Sequence, residues 1–344
     1  MRVYALTKMV MCAFVVSFAY AQDPIINDPD RAINTDFGDN VLEFDFPAIQ
    51  VGIAEYPDGP TGVTVLRFGT ATSAAVAVAV DIRGGAPGFL GNYGLVHAIS
   101  LAGGSLLGLE AASGVVEGIY AEREYSTDWE LIPLVSAGVI FDFHERDDSI
   151  YPDKRLGRAA FDNMETNQFP LGARGAGISA TVGKLVDFSA GEPAGQGAAF
   201  LDEDGVKIFA CVILNAVGAI YDRNGDIVLG DLDAESRARS GLGTNLERPI
   251  GAGPSNQVHG LPTGNTTLTV VVTNQTILGF NLVQQARQVH SSMARAIQPF
   301  HTPTDGDVLW FVSTGGTELM DISLTDFGIM ASDVVWDAVL TAHP

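Results

Sequence analysis

Apolar runs with strand character come in groups along this chain, and helices follow in groups, without strict one-for-one alternation. Alternating or β-branched stretches at Gly62 to Phe68, Ala75 to Ile82 and Val96 to Ala102 read as strands, as do Val135 to Phe143 and Gly177 to Phe188. A hairpin is expected from Gly197 to Leu201, a turn at Asp202-Glu-Asp-Gly205, and Val206 to Gly218. The spacing of Leu106, Leu109, Ala112, Val116 and Ile119 predicts a closely packed helix over Leu106 to Glu122, with a short helix over Arg158 to Met164. The chain closes with strand Thr266 to Thr273, helix Leu278 to Ile297, strand Val308 to Ser313 and helix Leu324 to Thr341. Such an order suits antiparallel sheets with helices on their outer faces, because a doubly wound parallel sheet would alternate strictly.

The 344 residues suffice for one large layered unit or two smaller ones. With 47% hydrophobic residues, 17% charged residues and 39 glycines, the chain is neither disordered nor a polyelectrolyte. Its 19 Lys and Arg against 41 Asp and Glu leave a net charge of −22, which excludes a binder that works by neutralising nucleic-acid phosphates. The N-terminus carries Arg2 and Lys8, an apolar stretch from Met9 to Phe18 and the small-x-small triplet Ala19-Tyr20-Ala21, the pattern of a secretory signal peptide over residues 1–21. No later segment offers about 18 uninterrupted apolar residues, so no membrane anchor is expected. Cys12 leaves with the signal, and Cys211, alone in the apolar run from Lys207 to Asn215, reads as a small core residue.

Several motifs fail on spacing. Gly172 to Gly177 lacks the dinucleotide-binding pattern, Gly103-Gly104-Ser105 is not a hydrolase elbow, and Asp222-Arg-Asn-Gly-Asp226 has its glycine too early for a calcium loop. The six histidines show no zinc-ligand spacing. From Tyr221 to Asn265 the chain loses hydrophobic periodicity and fills with Gly, Asn, Asp, Arg and Pro, and a loop that long is usually functional or cleavable. It turns abruptly into a strand at Gly264-Asn265-Thr266-Thr267. A threonine there can be a simple strand former. If the backbone is cut before Thr266, one residue carries both a hydroxyl nucleophile and an α-amine, whose ordinary pKa of roughly 7.7 to 8.0 suits a general base. Thr266 Oγ can itself attack the Asn265 carbonyl, move the acyl group from N to O and leave an ester for water.

Five ordered blocks then carry a family resemblance: Asp81-Ile-Arg-Gly-Gly-Ala-Pro-Gly88 with Val96-His97 and Leu101 to Ala112; Pro133 to Asp142; Gly175 to Lys184; Asn265-Thr266-Thr267; and Met293 to Asp307. Together they make the chain similar to the L-aminopeptidase/D-esterase and β-aminopeptidase family of N-terminal nucleophile hydrolases, which includes the 6-aminohexanoate-oligomer (nylon oligomer) endohydrolases. The resemblance implies an α+β fold, a four-layer αββα sandwich over residues 22–344, self-cleaved into a long chain 22–265 and a short chain 266–344. It implies Thr266 as the new N-terminal nucleophile, with Lys184 as a nearby cation that lowers the amine pKa. Asn215 is then the amide donor to the oxyanion, and Asp305 and Asp307 hold the α-ammonium and the Thr266 hydroxyl. The bland alternatives are a solvated lysine at a strand end, a turn asparagine and a plain Asp-Gly-Asp turn. Thr in place of Ser, with Asp-Gly-Asp, leans toward the nylon-oligomer branch.

The resulting expectation is an exported, self-processing amidohydrolase, secreted or periplasmic, acting on small amides or peptides through a Thr acyl-enzyme. No metal or organic cofactor is implied, and no nucleic-acid or membrane partner; a homo-oligomer, tetramer or larger, is implied by the resemblance. The competing expectations are an aminopeptidase or esterase of the same family, acyl transfer of the ornithine-acetyltransferase kind, and a catalytically silent binding protein on the same scaffold.

Overall fold

Strands buried on both faces need apolar residues at successive positions, and three segments here have them: Val206–Asn215, Thr266–Gln275 and Val308–Thr317. In the computed structural model, which describes residues 28–70, 73–185, 191–232, 239, 264–317 and 322–343, they lie side by side at the centre of one sheet. The strands of the two main sheets are, in chain order, β1 (Ile49–Tyr56), β2 (Thr61–Phe68), β3 (Val76–Ile82), β4 (Phe89–Leu90), β5 (Leu95–Val96), β6 (Ala98–Ala102), β7 (Val135–Val139), β8 (Glu165–Thr166), β9 (Gln196–Glu203), β10 (Val206–Asn215), β11 (Thr266–Gln275) and β12 (Val308–Thr317). The first sheet runs β4-β7-β6-β2-β1-β8 and the second β9-β10-β11-β12-β3-β5, six strands each. Most neighbours are antiparallel; β6 with β7 and β11 with β12 are the parallel pairs.

Alternation along the central strands sorts side chains into layers. On β10, Phe209, Cys211 and Ile213 enter the core between the sheets, while Ile208, Ala210, Val212 and Leu214 face the helices. On β12, Trp310 and Val312 point inward to the first sheet and Leu309 and Phe311 outward. The outer faces are covered by helices: α1 (Ala111–Glu122) and α2 (Lys154–Asp162) on the first sheet, α3 (Gly279–Ser292) and α4 (Leu324–Leu340) on the second. Three apolar layers between four layers of secondary structure make this the expected αββα sandwich. Among the described residues no helix is long and apolar enough to cross a membrane.

Local chemistry sets several boundaries. Asp153 caps α2, its carboxylate accepting the Leu156 N–H at 2.9 Å, so this helix begins before the expected Arg158. Asp204 and Gly205, at φ 50° and 81°, make the left-handed turn that closes the β9–β10 hairpin. The strand expected across Val96 to Ala102 is broken at His97, where the chain leaves the second sheet and enters the first. The Leu134 N–H donates to His97 Nδ1 at 2.9 Å, and burial, then Arg123 and Arg67, push the imidazole down to about 4, which keeps it neutral at this crossing. The stretch Val135 to Phe143 is shorter than expected as a strand, ending at Val139 before a single helical turn at Phe143–Glu145. Gly177 to Phe188 is likewise a short helical turn and the two-residue strand Thr181–Val182, with 186–188 outside the described residues. Strand β1 lies outside every expected strand. The expected signal segment 1–21 and most of the loop from Tyr221 to Asn265 also lie outside the described residues; Asp222 to Asp226 is the expected turn, with Asp222 Oδ1 accepting from the Asn224 and Asp226 amides at 2.9 Å each.

Candidate active site

Thr266 opens β11, and its register partner on β10 is Asn215, the last residue of that strand. Both sit at the same end of the sandwich and are buried, at 4% and 1% exposure. The Thr266 hydroxyl lies 2.5 Å from the carbonyl oxygen of Asn265, the residue whose bond to Thr266 is expected to break. That carbonyl also accepts the Gly306 N–H at 2.7 Å. A carbonyl gripped by two donors is polarised toward attack, and a fixed backbone N–H is well suited to hold the negative charge that attack places on the oxygen. Glycine is required at 306 by space: a Cβ there would stand 2.6 Å from Thr266 Oγ1 and 2.8 Å from the Ala86 carbonyl oxygen.

Lys184 follows the Thr181–Val182 strand and is 2% exposed, which excludes a solvated surface lysine. Its ammonium donates to Asn215 Oδ1 at 2.8 Å and to the Asn215 carbonyl at 3.4 Å, and the Thr181 N–H reaches the same Oδ1 at 3.1 Å. With its oxygen held from two sides, the Asn215 amide has one orientation, and its Nδ2 donates to the carbonyls of Phe141 at 3.0 Å and Gly264 at 3.2 Å. Asn215 therefore faces Gly264, while the Gly306 N–H holds the Asn265 carbonyl.

Asp305 and Asp307 are 1% and 0% exposed and flank Gly306 immediately before β12. Asp305 accepts the Thr302 N–H at 2.8 Å, and burial followed by the negative charge of Asp307 pushes its carboxyl up to about 6. Asp307 accepts the Thr267 N–H at 2.8 Å through Oδ1; through Oδ2 it accepts the His301 N–H at 3.1 Å and contacts His301 Nδ1 at 3.0 Å. The plain solvated turn is excluded by this burial. The expected grip of this pair on the Thr266 hydroxyl takes a different form: Asp307 anchors the backbone one residue later, and the hydroxyl points at the Asn265 carbonyl. All six residues marked in the sequence, Lys184, Asn215, Asn265, Thr266, Asp305 and Asp307, thus meet at one end of the second sheet. Sequence reasoning missed the Gly306 amide and His301; both stood in the Met293 to Asp307 block, but a backbone N–H has no sequence signature and a single histidine reads as unremarked filler.

Stacked antiparallel sheets between outer helices, with a strand-opening hydroxyl beside the carbonyl before it, are the features of an N-terminal nucleophile hydrolase fold. The same fold is seen in the L-aminopeptidase D-Ala-esterase/amidase from Ochrobactrum anthropi, with a TM-score of 0.61 at 18% identity over 88% of this chain and 84% of that one. A Burkholderia β-aminopeptidase superposes with a TM-score of 0.62 at 18% identity, covering 87% and 84%. The chain belongs to peptidase family S58, whose family model matches residues 44–343. It is 44% identical over 319 residues to a 6-aminohexanoate-oligomer endohydrolase from Kocuria sp. (strain KY2), covering 89% of this chain and 86% of the relative. A protein of the same description from Agromyces sp. (strain KY5R) is 43% identical over 316 residues, covering 89% and 86%. The protein is a hydrolase acting on amide bonds.

Proposed function

We propose that the protein is exported, cuts itself between Asn265 and Thr266, and then hydrolyses small linear amides through an ester on Thr266. The observation that carries this reading is the Thr266 hydroxyl 2.5 Å from the Asn265 carbonyl oxygen, with the Gly306 N–H on that oxygen from another direction at 2.7 Å. Thr266 Oγ bonds to the Asn265 carbonyl carbon and gives up its proton, and the oxyanion rests on the Gly306 amide. The C–N bond to Thr266 then breaks, its nitrogen takes a proton, and water hydrolyses the ester to an Asn265 carboxylate and a free Thr266 amine and hydroxyl. Asp305, with its carboxyl near 6, is matched to accepting a proton close to neutral pH. Departure of the tail ending in Asn265 removes the Gly264 carbonyl from Asn215 Nδ2, leaving that amide to receive the oxygen of a substrate amide. In turnover the Thr266 amine takes the hydroxyl proton, Oγ attacks the substrate carbonyl, the amine product leaves, and water releases the acid.

The substrate class we infer is small amides whose amino group stands away from the scissile carbonyl, 6-aminohexanoate oligomers among them, in line with the relatives' descriptions and with Asp305 and Asp307 as buried carboxylates beside the nucleophile. A homo-oligomer, tetramer or larger, is part of the same reading; Trp129 and Phe280, 88% and 75% exposed, are large apolar side chains that other copies would cover.

The test is mass spectrometry of the purified protein with activity beside it. Fragments 22–265 and 266–344 are expected from the parent and from Thr266→Ser, and one uncut, inactive chain from Thr266→Ala. An uncut parent that still hydrolyses amides, or an active Thr266→Ala, overturns the mechanism. Faster turnover of ordinary L-aminoacyl amides than of 6-aminohexanoate oligomers would leave the nucleophile in place and move the substrate to the aminopeptidase side.

A further inference from the structure

Beneath Asp307 lies a pair of histidines that the mechanism above does not use. His290, on the inner face of α3, is fully buried, and its Nδ1 is 2.9 Å from Asp81 Oδ2 on β3; Arg83 holds the same oxygen at 2.6 Å. The His301 ring stands edge to face with it, centroids 4.4 Å apart at 83°, and stacks on Phe300 at 3.9 Å. Its own Nδ1 is 3.0 Å from Asp307 Oδ2. Carboxylate oxygens accept, so each ring donates from Nδ1 and carries its lone pair on Nε2. Both Nε2 atoms are buried without a hydrogen-bond partner among the described residues. A second proton on His290 would place an N–H where nothing among the described residues accepts it, so that ring is held neutral as the Nδ1–H tautomer. Burial acts on His290 in the same direction, pushing it below its ordinary value.

His301 also has φ of 59°, a left-handed conformation that glycine adopts without strain. That bend points its backbone N–H and its ring N–H at one oxygen of Asp307, at 3.1 and 3.0 Å. Glycine would relieve the backbone and keep the first donor; only a side chain supplies the second. With the Thr267 N–H on Oδ1, three N–H donors converge on the Asp307 carboxylate and fix its orientation. Its neighbour Asp305 accepts from Thr302 and from the Val217 backbone, and burial with the charge of Asp307 beside it raises its carboxyl, so that it is the member of the pair that takes the proton.

We propose that His301 is a positioning residue for the carboxylate pair: buttressed by the Asp81–His290 contact, its Nδ1–H locks Asp307 in place and leaves Asp305 as the proton carrier beside Thr266. This rests on the Thr266 reading above and adds to it a residue that touches neither the scissile carbonyl nor the nucleophile. The groups facing His301 are Asp307 and, across the ring contact, His290; Asp81 and Arg83 stand behind His290.

The experiment compares His301→Phe, which keeps a ring and loses the donor, with His301→Asn, whose amide returns an N–H at about the reach of Nδ1 and whose type tolerates left-handed backbone. Self-cleavage is followed in freshly translated chains, and kcat, KM and the pH profile are measured on the processed protein with a linear 6-aminohexanoate oligomer. Loss of a donor to a carboxylate should slow self-cleavage and lower kcat about tenfold or more in His301→Phe, with KM changed less than about twofold. The acid side of its pH profile should move upward, because the carboxylate pair holds a proton more tightly once a donor is gone. His301→Asn should restore both. Should His301→Phe fail to fold, His301→Gly, which suits the backbone, takes its place in the same comparison. Parent-like kcat, self-cleavage and pH profile in His301→Phe, or an Asn variant as impaired as the Phe variant, overturns the proposal. Thr266→Ala runs alongside: if it is inactive while His301→Phe is unimpaired, only the histidine's role falls, and if it is active, the Thr266 reading and this proposal fall together.

Discussion

Among single residues, Asp305 is where function and stability pull in opposite directions. Its carboxyl stands at about 6 in the fold against an ordinary 3.8, because burial and the Asp307 charge both disfavour ionisation. A carboxyl raised in this way stabilises the fold while protonated. That contribution is complete below the ordinary value and is lost as pH rises through about 6. The gap corresponds to about 3 kcal/mol. In an uncut Thr266→Ala background, Asp305→Asn should therefore unfold at higher urea than its parent at pH 8, by about 1 to 3 kcal/mol, with little difference near pH 4. Equal stability at both pH values would mean that Asp305 ionises without cost. Lys184 shows a complementary arrangement: a buried side chain whose Nζ donates to Asn215 Oδ1 and to the Asn215 carbonyl and so orients that amide.

At the scale of elements, the sandwich closes through small residues facing large ones. Trp310 of β12 crosses the central layer and lies on Gly138 of β7, where a Cβ would meet Trp310 Cη2 at 2.5 Å, and its indole N–H donates to Ser136 Oγ at 2.7 Å. Gly138→Ala should displace the indole and cost about 1 to 3 kcal/mol by denaturant unfolding, while leaving the Asn265–Thr266 cut in place. A loss under about half a kcal/mol would show that the two sheets can slide to make room. The strand positions in this layer were largely legible beforehand: the stretches read for β2, β3, β11, β12 and α4 match to within a few residues. The failures have physical causes. The run from Leu106 to Glu122 has helical spacing throughout, yet its first part is the tighter helix Ser105–Glu110, where a Cβ on Gly108 would meet the Gly103 carbonyl oxygen at 1.9 Å. Strand β1 was overlooked because it follows a polar lead-in, and its eight residues, buried at all but one position, earn their order from sheet partners on both sides.

For the whole molecule, the proposed cut falls at the edge of a strand that is paired on both sides. β11 pairs with β10 along eight register positions and with β12 on its other side, and the chain after Thr266 supplies β11, β12, α3 and α4 to the second sheet and its apolar layer. Separating the two products would expose the centre of both inner layers. The fragments 22–265 and 266–344 should thus co-elute as one species in size exclusion and part only under denaturing conditions, and their separation at native pH would show that β11 is held far more weakly than its pairing implies. The candidate site follows the same logic, since Lys184 and Thr181 come from before β10, Asn215 from its end, Thr266 from the start of β11 and Asp305 to Asp307 from the approach to β12.

Local order along the chain already declared the layered class, the end of the long loop at Thr266 and the residue types of the site, because periodicity, loop composition and side-chain chemistry are properties of neighbouring residues. Assembly decided the rest. That Gly306 gives its N–H to the Asn265 carbonyl, that Lys184 orients Asn215, and that His301 reaches Asp307 from a left-handed turn all depend on segments brought together by strand register and burial. A backbone donor has no residue type, and the desolvation that sets apart Asp305 from an ordinary carboxylate exists only once the sheets have closed over it.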